Sequence, residues 1–159
     1  MEVEPGNPRL FWSASEDGTV RQFDQRIHAA QPTSQGDEGA AAATSTPSPS
    51  DILVDLRRRG GEPRRAGDLK SLSLNKAQPH MMAIGCGDQF VRLYDRRVTC
   101  STRGARCMAK MVPAHLSTAT SANRHVHPTH VTFAGDGRQL LVSYSGDNIF
   151  LFPTPTSGS

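Results

Sequence analysis

Short runs of apolar residues, most of them four to six long and each broken by an acidic or glycine-bearing turn, set the rhythm of this chain. Residues 10 to 15 and 19 to 24 predict two antiparallel strands, because Glu16-Asp17-Gly18 between them supplies the positive φ that a tight hairpin turn demands. Ile52 to Leu56 resumes a strand pattern. Leu69 to Leu74 alternates as Leu-Lys-Ser-Leu-Ser-Leu, Asn75 to His80 predicts a polar turn, and strands follow from Met81 to Gly85 and from Phe90 to Tyr94. A last group reads as strands at 130 to 133, 139 to 143 and 149 to 152, with turns at Gly135-Asp136-Gly137 and Gly146-Asp147-Asn148.

Two of these groups repeat one another. LFWSASEDGTVRQFDQR at 10 to 26 and MMAIGCGDQFVRLYDRR at 81 to 97 share Asp17 with Asp88, Val20 with Val91, Arg21 with Arg92, Phe23 with Tyr94, Asp24 with Asp95 and Arg26 with Arg97. The separation is a constant 71 residues. A repeated strand-turn-strand unit that ends in aromatic-Asp predicts an all-β fold of propeller blades. At about 40 to 45 residues per blade, 159 residues supply about three blades of antiparallel sheet, a partial propeller and not a closed seven-bladed ring.

The expected organisation is a first blade at 8–56, interrupted by a low-complexity insertion at 27–50, and an Arg-rich loop at 57–66. A second blade at 67–98, an irregular loop at 99–128, a third, partial blade at 129–153 and a disordered tail at 154–159 complete it. The insertion ends in AAAATSTPSPS and lacks the apolar side chains needed to offset the entropy of ordering it. In the third unit Pro153 stands where the other two carry the aspartate of the aromatic-Asp pair.

Composition narrows the function classes. Three cysteines, Cys86, Cys100 and Cys107, are an odd number without C-x-x-C spacing, which points away from a disulfide framework and toward a reducing cytoplasmic or nuclear compartment. No apolar run reaches the roughly 18 residues of a membrane span, and MEVEPGNPRL lacks the basic-then-apolar order of a secretion signal. Cys100, Cys107, His115, His125, His127 and His130 lack zinc spacing and an accompanying acid, so no catalytic site, metal or cofactor is expected.

The net charge of +3 hides a cluster. RRRGGEPRR places Arg57, Arg58, Arg59, Arg64 and Arg65 within nine residues, a candidate anion-binding loop. With Arg103, Arg106, Lys110 and Arg124 it supports an alternative reading as a nucleic-acid or chromatin-binding propeller. Gly60, Gly61 and Pro63 keep that loop from regular structure, so a solvated connection is the simpler expectation.

The repeated residues have separate expected roles. Asp17 and Asp88 are turn aspartates that tie the turn to a preceding loop, while Phe23, Tyr94 and Phe152 are blade packing. Arg26 and Arg97 stand two residues after the aspartate, where the strand leaves the sheet. There each guanidinium either forks onto a partner's carboxylate or closes a surface ion pair with Asp24 or Asp95.

The endings FDQR at 23 to 26 and YDRR at 94 to 97 resemble the boxes of WD-repeat substrate receptors of cullin-4 RING ubiquitin ligases. Within that group the similarity is greatest to members that join WD repeats to tetratricopeptide repeats, carried by FWSASEDGTVRQFDQR, ILVDL, FVRLYDRR, PAHL at 113 to 116 and HVTFAGDGRQLLVSYSGDNIFLF. The resemblance implies a WD-repeat propeller, acting as a non-enzymatic scaffold. It further implies that Arg26 and Arg97 contact the ligase adaptor, the large damaged-DNA-binding protein subunit, with Asp24 and Asp95 in support, while another surface holds a protein substrate. The chain departs from the pattern in having Phe or Tyr before the box aspartate, no Gly-His dipeptide, and no tetratricopeptide segment.

Overall fold

A computed structural model describes residues 1–28, 52–56, 67–99, 107–117 and 125–155. The expected insertion at 27–50, apart from the backbone of its first two residues, and the Arg-rich loop at 57–66 lie outside the described residues, as do most of the tail, Cys100, Arg103, Arg106 and Arg124.

The fold is a partial β-propeller of three antiparallel sheets. The first contains β1 (Glu2–Glu4), β2 (Asn7–Ala14), β3 (Thr19–Asp24) and β4 (Ile52–Asp55), in that spatial order. The second contains β5 (Leu69–Leu74), β6 (Met81–Cys86), β7 (Val91–Asp95) and β8 (Cys107–Met111), and the third β9 (Pro128–Phe133), β10 (Gln139–Tyr144) and β11 (Ile149–Pro153). One-turn helices α1 (Gln25–His28) and α2 (Arg96–Thr99) follow β3 and β7. Gly18 closes the β2–β3 turn at φ 84°, the left-handed backbone that its place after Asp17 predicts.

Two strands differ from the sequence reading. The first sheet begins at Glu2 instead of residue 8, because Val3 pairs with Phe11 and Glu2 with Trp12. Within the segment read as irregular, Cys107–Met111 is the fourth strand of the second sheet, with Leu93 opposite Ala109 and Val91 opposite Met111. Its residues alternate between half-buried and exposed, as an edge strand covered on one face must.

The two faces of each strand go to different neighbours, and this alternation builds the core. Leu10, Trp12, Ala14 and Val20 of the first sheet pack against Leu72, Leu74, Met82, Ile84 and Tyr94 of the second. Met81, Ala83, Val91 and Leu93, on the second sheet's other face, pack against Val131, Leu140, Val142 and Phe152 of the third. The middle sheet is therefore apolar on both faces, and its β6 and β7 are buried throughout.

Polar groups fix the sheets edge to edge. The Ser71 and Ser73 hydroxyls accept from the Val131 and Phe133 backbone N–H groups at 3.1 and 3.3 Å, and the Asn75 side chain donates to the Gly137 carbonyl at 2.9 Å. Between the first two sheets, Arg96 lies over the Trp12 ring at 4.9 Å and pairs with Glu4, which also accepts from the Trp12 indole at 2.8 Å.

Candidate protein-interaction site

The two boxes fold identically. In each, the strand ends at the aspartate, and its carboxylate caps the following one-turn helix by accepting the arginine's backbone N–H at 2.9 Å, Arg26 to Asp24 and Arg97 to Asp95. The guanidinium then returns onto the same carboxylate. Arg26 donates from Nε to Asp24 Oδ1 at 2.9 Å and from Nη2 to Oδ2 at 2.5 Å, and Arg97 donates to Asp95 at 3.0 and 2.6 Å. Of the two fates open to these arginines in the sequence, the structure shows the local pair.

That fork leaves the cation presented to solvent. The Arg26 and Arg97 side chains are 57% and 68% exposed, whereas Asp24 and Asp95 are only 14% and 11% exposed. The hydrogen bond from Arg97 holds the Asp95 carboxyl below its usual range, so the pair stays ionised at neutral pH. A guanidinium pre-oriented on its own aspartate and open to solvent suits recognition of a carboxylate or a carbonyl, not bond making. Beside the second box, Asp95, Val98, Cys107 and Met108 line a shallow cavity of about 370 Å³, with Val98 and Met108 half-exposed. The sequence reading left Val98 and Met108 out, although the aliphatic residue after Arg97 has a counterpart, Ile27, after Arg26.

The turn aspartates act inside the blades. Asp17 accepts from Thr19 N at 3.0 Å, from Thr19 Oγ1 at 2.6 Å and from Arg21 at 2.6 Å; despite partial desolvation these donors lower its pKa to about 2. Asp88 accepts from Phe90 N at 3.2 Å and takes both ends of the Arg92 fork at 2.7 and 2.6 Å. Among the described residues these bonds run forward into the next strand, because the hairpin itself positions donors two and four residues on, while the loop that precedes the second blade lies outside those residues. Arg92 is 2% exposed and fully committed.

The aromatics share one face but not one degree of burial. Tyr94 is wholly buried between sheets, and Phe152 is half-buried against the second sheet. Phe23 is also half-buried, stacked on Phe11 with centroids 5.0 Å apart, on the face of the first sheet away from the second. Among the described residues the histidines and cysteines do not converge: His115 pairs with Asp147 at 2.6 Å, His127 meets the His125 carbonyl at 2.9 Å, and the Cys107 thiol meets the Ala109 carbonyl.

Three antiparallel blades, two of which carry an Asp-tied turn and an Asp-x-Arg corner, define a partial WD-repeat propeller fold. The curated relatives agree with that class. The chain is 37% identical over 163 residues to Protein ALTERED SEED GERMINATION 2 of Arabidopsis thaliana, covering 95% of this chain and 20% of the relative. It is 35% identical to DDB1- and CUL4-associated factor 6 of mouse and human, covering 93% of this chain and 15% of theirs. WD and tetratricopeptide repeats protein 1 of mouse and human matches at 28% identity over 96% of this chain and 23% of theirs. The chain thus spans between a seventh and a quarter of the length of these relatives. No family model matches it. Among solved structures, Chaetomium thermophilum Raptor superposes with TM-score 0.57 at 16% identity, over 98% of this chain and 11% of that one. Saccharomyces cerevisiae Sqt1 does so with 0.55 at 15% identity, over 93% and 29%; both likenesses are of fold alone. The chain thus has the fold of a partial WD-repeat β-propeller and is similar over nearly its whole length to parts of DDB1- and CUL4-associated factor 6 and of WD and tetratricopeptide repeats protein 1.

Proposed function

We propose that this chain is a non-enzymatic interaction module, working in the cytoplasm or nucleus, whose two Asp-x-Arg corners dock the adaptor of a cullin-4 RING ubiquitin ligase and so present a protein substrate. The observation that carries the reading is the identity of the two corners. Each sets an exposed guanidinium on a buried-edge carboxylate with the same bonds, although nothing in blade packing requires an arginine there. The names of the mouse and human relatives support the choice of adaptor. A carboxylate of the adaptor would share the guanidinium with Asp24 or Asp95, gaining a charge-assisted bond at little ordering cost because the fork is already held.

The test is a binding titration of the adaptor with the chain and with Arg26→Ala/Arg97→Ala. Each exposed arginine contact is worth about 1–2 kcal/mol, so the double variant is expected to weaken binding by roughly 30-fold or more while its unfolding midpoint stays unchanged. A folded double variant that binds as well as the parent overturns the assignment.

A further inference from the structure

The third blade ends in Phe152-Pro153 and so lacks the box, yet the same corner of its sheet carries an arginine from the neighbouring strand's side of the register. Asp24 lies opposite Leu10, Asp95 opposite Met81 and Pro153 opposite Gln139, so the residues just before these three partners hold one place in all three sheets. They are Arg9, His80 and Arg138, each able to carry positive charge. One backbone bond shows the equivalence of the last two. Arg96, the residue after Asp95, donates its N–H to the His80 carbonyl at 2.8 Å, and Thr154, the residue after Pro153, donates its own to the Arg138 carbonyl at 2.9 Å.

Arg138 also closes an Asp-x-Arg of its own. The Asp136 carboxylate accepts the Arg138 backbone N–H at 3.0 Å, the bond that Asp24 and Asp95 make to Arg26 and Arg97 at 2.9 Å. The backbone beneath it is held from two sides. The Gly137 carbonyl accepts from the Asn75 side chain and from the Thr154 hydroxyl, both at 2.9 Å, and Asn75 and Thr154 are buried. Asn75 opens the β5–β6 turn, and His80, at the turn's other end, accepts the N–H of Arg96, the neighbour of Arg97. The second and third corners are therefore tied through one turn. Arg138 is exposed with the second sheet already packed beside the third, and among the described residues no carboxylate forms an ion pair with it.

We propose that Arg138 is a third docking arginine, which supplies at the third corner the cation that the box does not, and that it engages a carboxylate on the same face of the adaptor as Arg26 and Arg97. This rests on the docking reading above and extends it to the blade that the box pattern leaves out. The contact differs in kind from the other two. Arg26 and Arg97 commit Nε and Nη2 to their own aspartates, whereas Asp136 holds only the backbone of Arg138, so its guanidinium can grip a partner carboxylate with two parallel bonds.

Titration of the adaptor with the 159-residue chain, with Arg138→Ala, with Arg138→Glu and with Arg26→Ala/Arg97→Ala tests the assignment. Arg138→Ala is expected to weaken binding about fivefold and Arg138→Glu about fiftyfold, because charge reversal sets two carboxylates against each other. Both unfolding midpoints are expected to stay at the parent value, and added salt is expected to narrow the gap between Arg138→Glu and the parent. Arg138→Ala alone decides if the glutamate disturbs folding. A double box variant that loses affinity, beside folded Arg138 variants that bind as tightly as the parent, overturns the third contact and leaves the two-corner reading standing. A parent chain that does not bind the adaptor overturns both.

Discussion

Arg21 and Arg92 occupy the same place in the repeated unit, and each pairs at 2.6 Å with an aspartate four residues earlier, yet their removal is expected to have different consequences. The Arg92 and Asp88 side chains are 2% and 4% exposed, whereas Arg21 and Asp17 are 20% and 39% exposed. Arg92→Ala strips both guanidinium bonds from a carboxylate that has almost no access to water, which costs about 3–5 kcal/mol. Arg21→Ala exposes Asp17 further to solvent and costs about 0–1 kcal/mol. With a urea dependence of about 2 kcal/mol per molar, the midpoint falls by roughly 2 M in the first variant and by less than about 0.5 M in the second. Urea titration followed by circular dichroism measures both. In a domain stable by only about 5 kcal/mol, the low end of the usual range, the Arg92 loss shows as partial unfolding even without urea. Asp88→Leu/Arg92→Met, which removes both charges together, is expected to recover most of the loss, short of about 1 kcal/mol for the bond from Phe90 N–H. Equal midpoints for Arg21→Ala and Arg92→Ala would refute the claim that burial between blades decides the worth of this pair.

Gly137→Ala is expected to destabilise by about 1–3 kcal/mol in the same titration: the glycine has φ +72°, and a Cβ there would lie 2.3 Å from Asn75 Oδ1, forcing apart the tie between second and third sheets. Cys86, buried with its thiol pushed up to about 12, is expected to resist iodoacetamide at pH 8 in the native chain and to react only on unfolding; peptide mass spectrometry showing native labelling would contradict its burial. Acid sensitivity follows from Asp17, whose carboxyl titrates at about 2 when folded against 3.8 for the ordinary group. The unfolded chain binds the proton first, so this stabilisation is complete above pH 3.8 and is lost as the pH falls toward 2; Asp17→Asn should flatten that part of the acid unfolding curve.

Strands that combine alternation with a marked turn were legible from sequence: β3, β5, β6, β7, β10 and β11 lie within a residue or so of where the pattern puts them. The missed strands lacked those signals. Glu2–Glu4 is three residues long, too short for any period, and becomes a strand only because β2 offers it hydrogen bonds. Cys-Met-Ala-Lys-Met has no β-branched residue and is held by the edge of β7. The site divides in the same way. The Asp-x-Arg boxes were visible as repeated letters, but that each arginine folds back on its own aspartate depended on the helical turn after the strand, and the Val98–Met108 surface joins residues from two elements.

The sequence by itself determined the blade: where strands and turns fall, which residues share a face, and that two corners carry Asp-x-Arg. Only the tertiary structure decided what each copy is worth. Alternation assigns a side chain to a face, but whether another sheet lies on that face is a property of the assembled blades. Hence Phe23 and Tyr94, or Arg21 and Arg92, are equivalent as letters and differ as physical groups, one half in water and the other wholly enclosed.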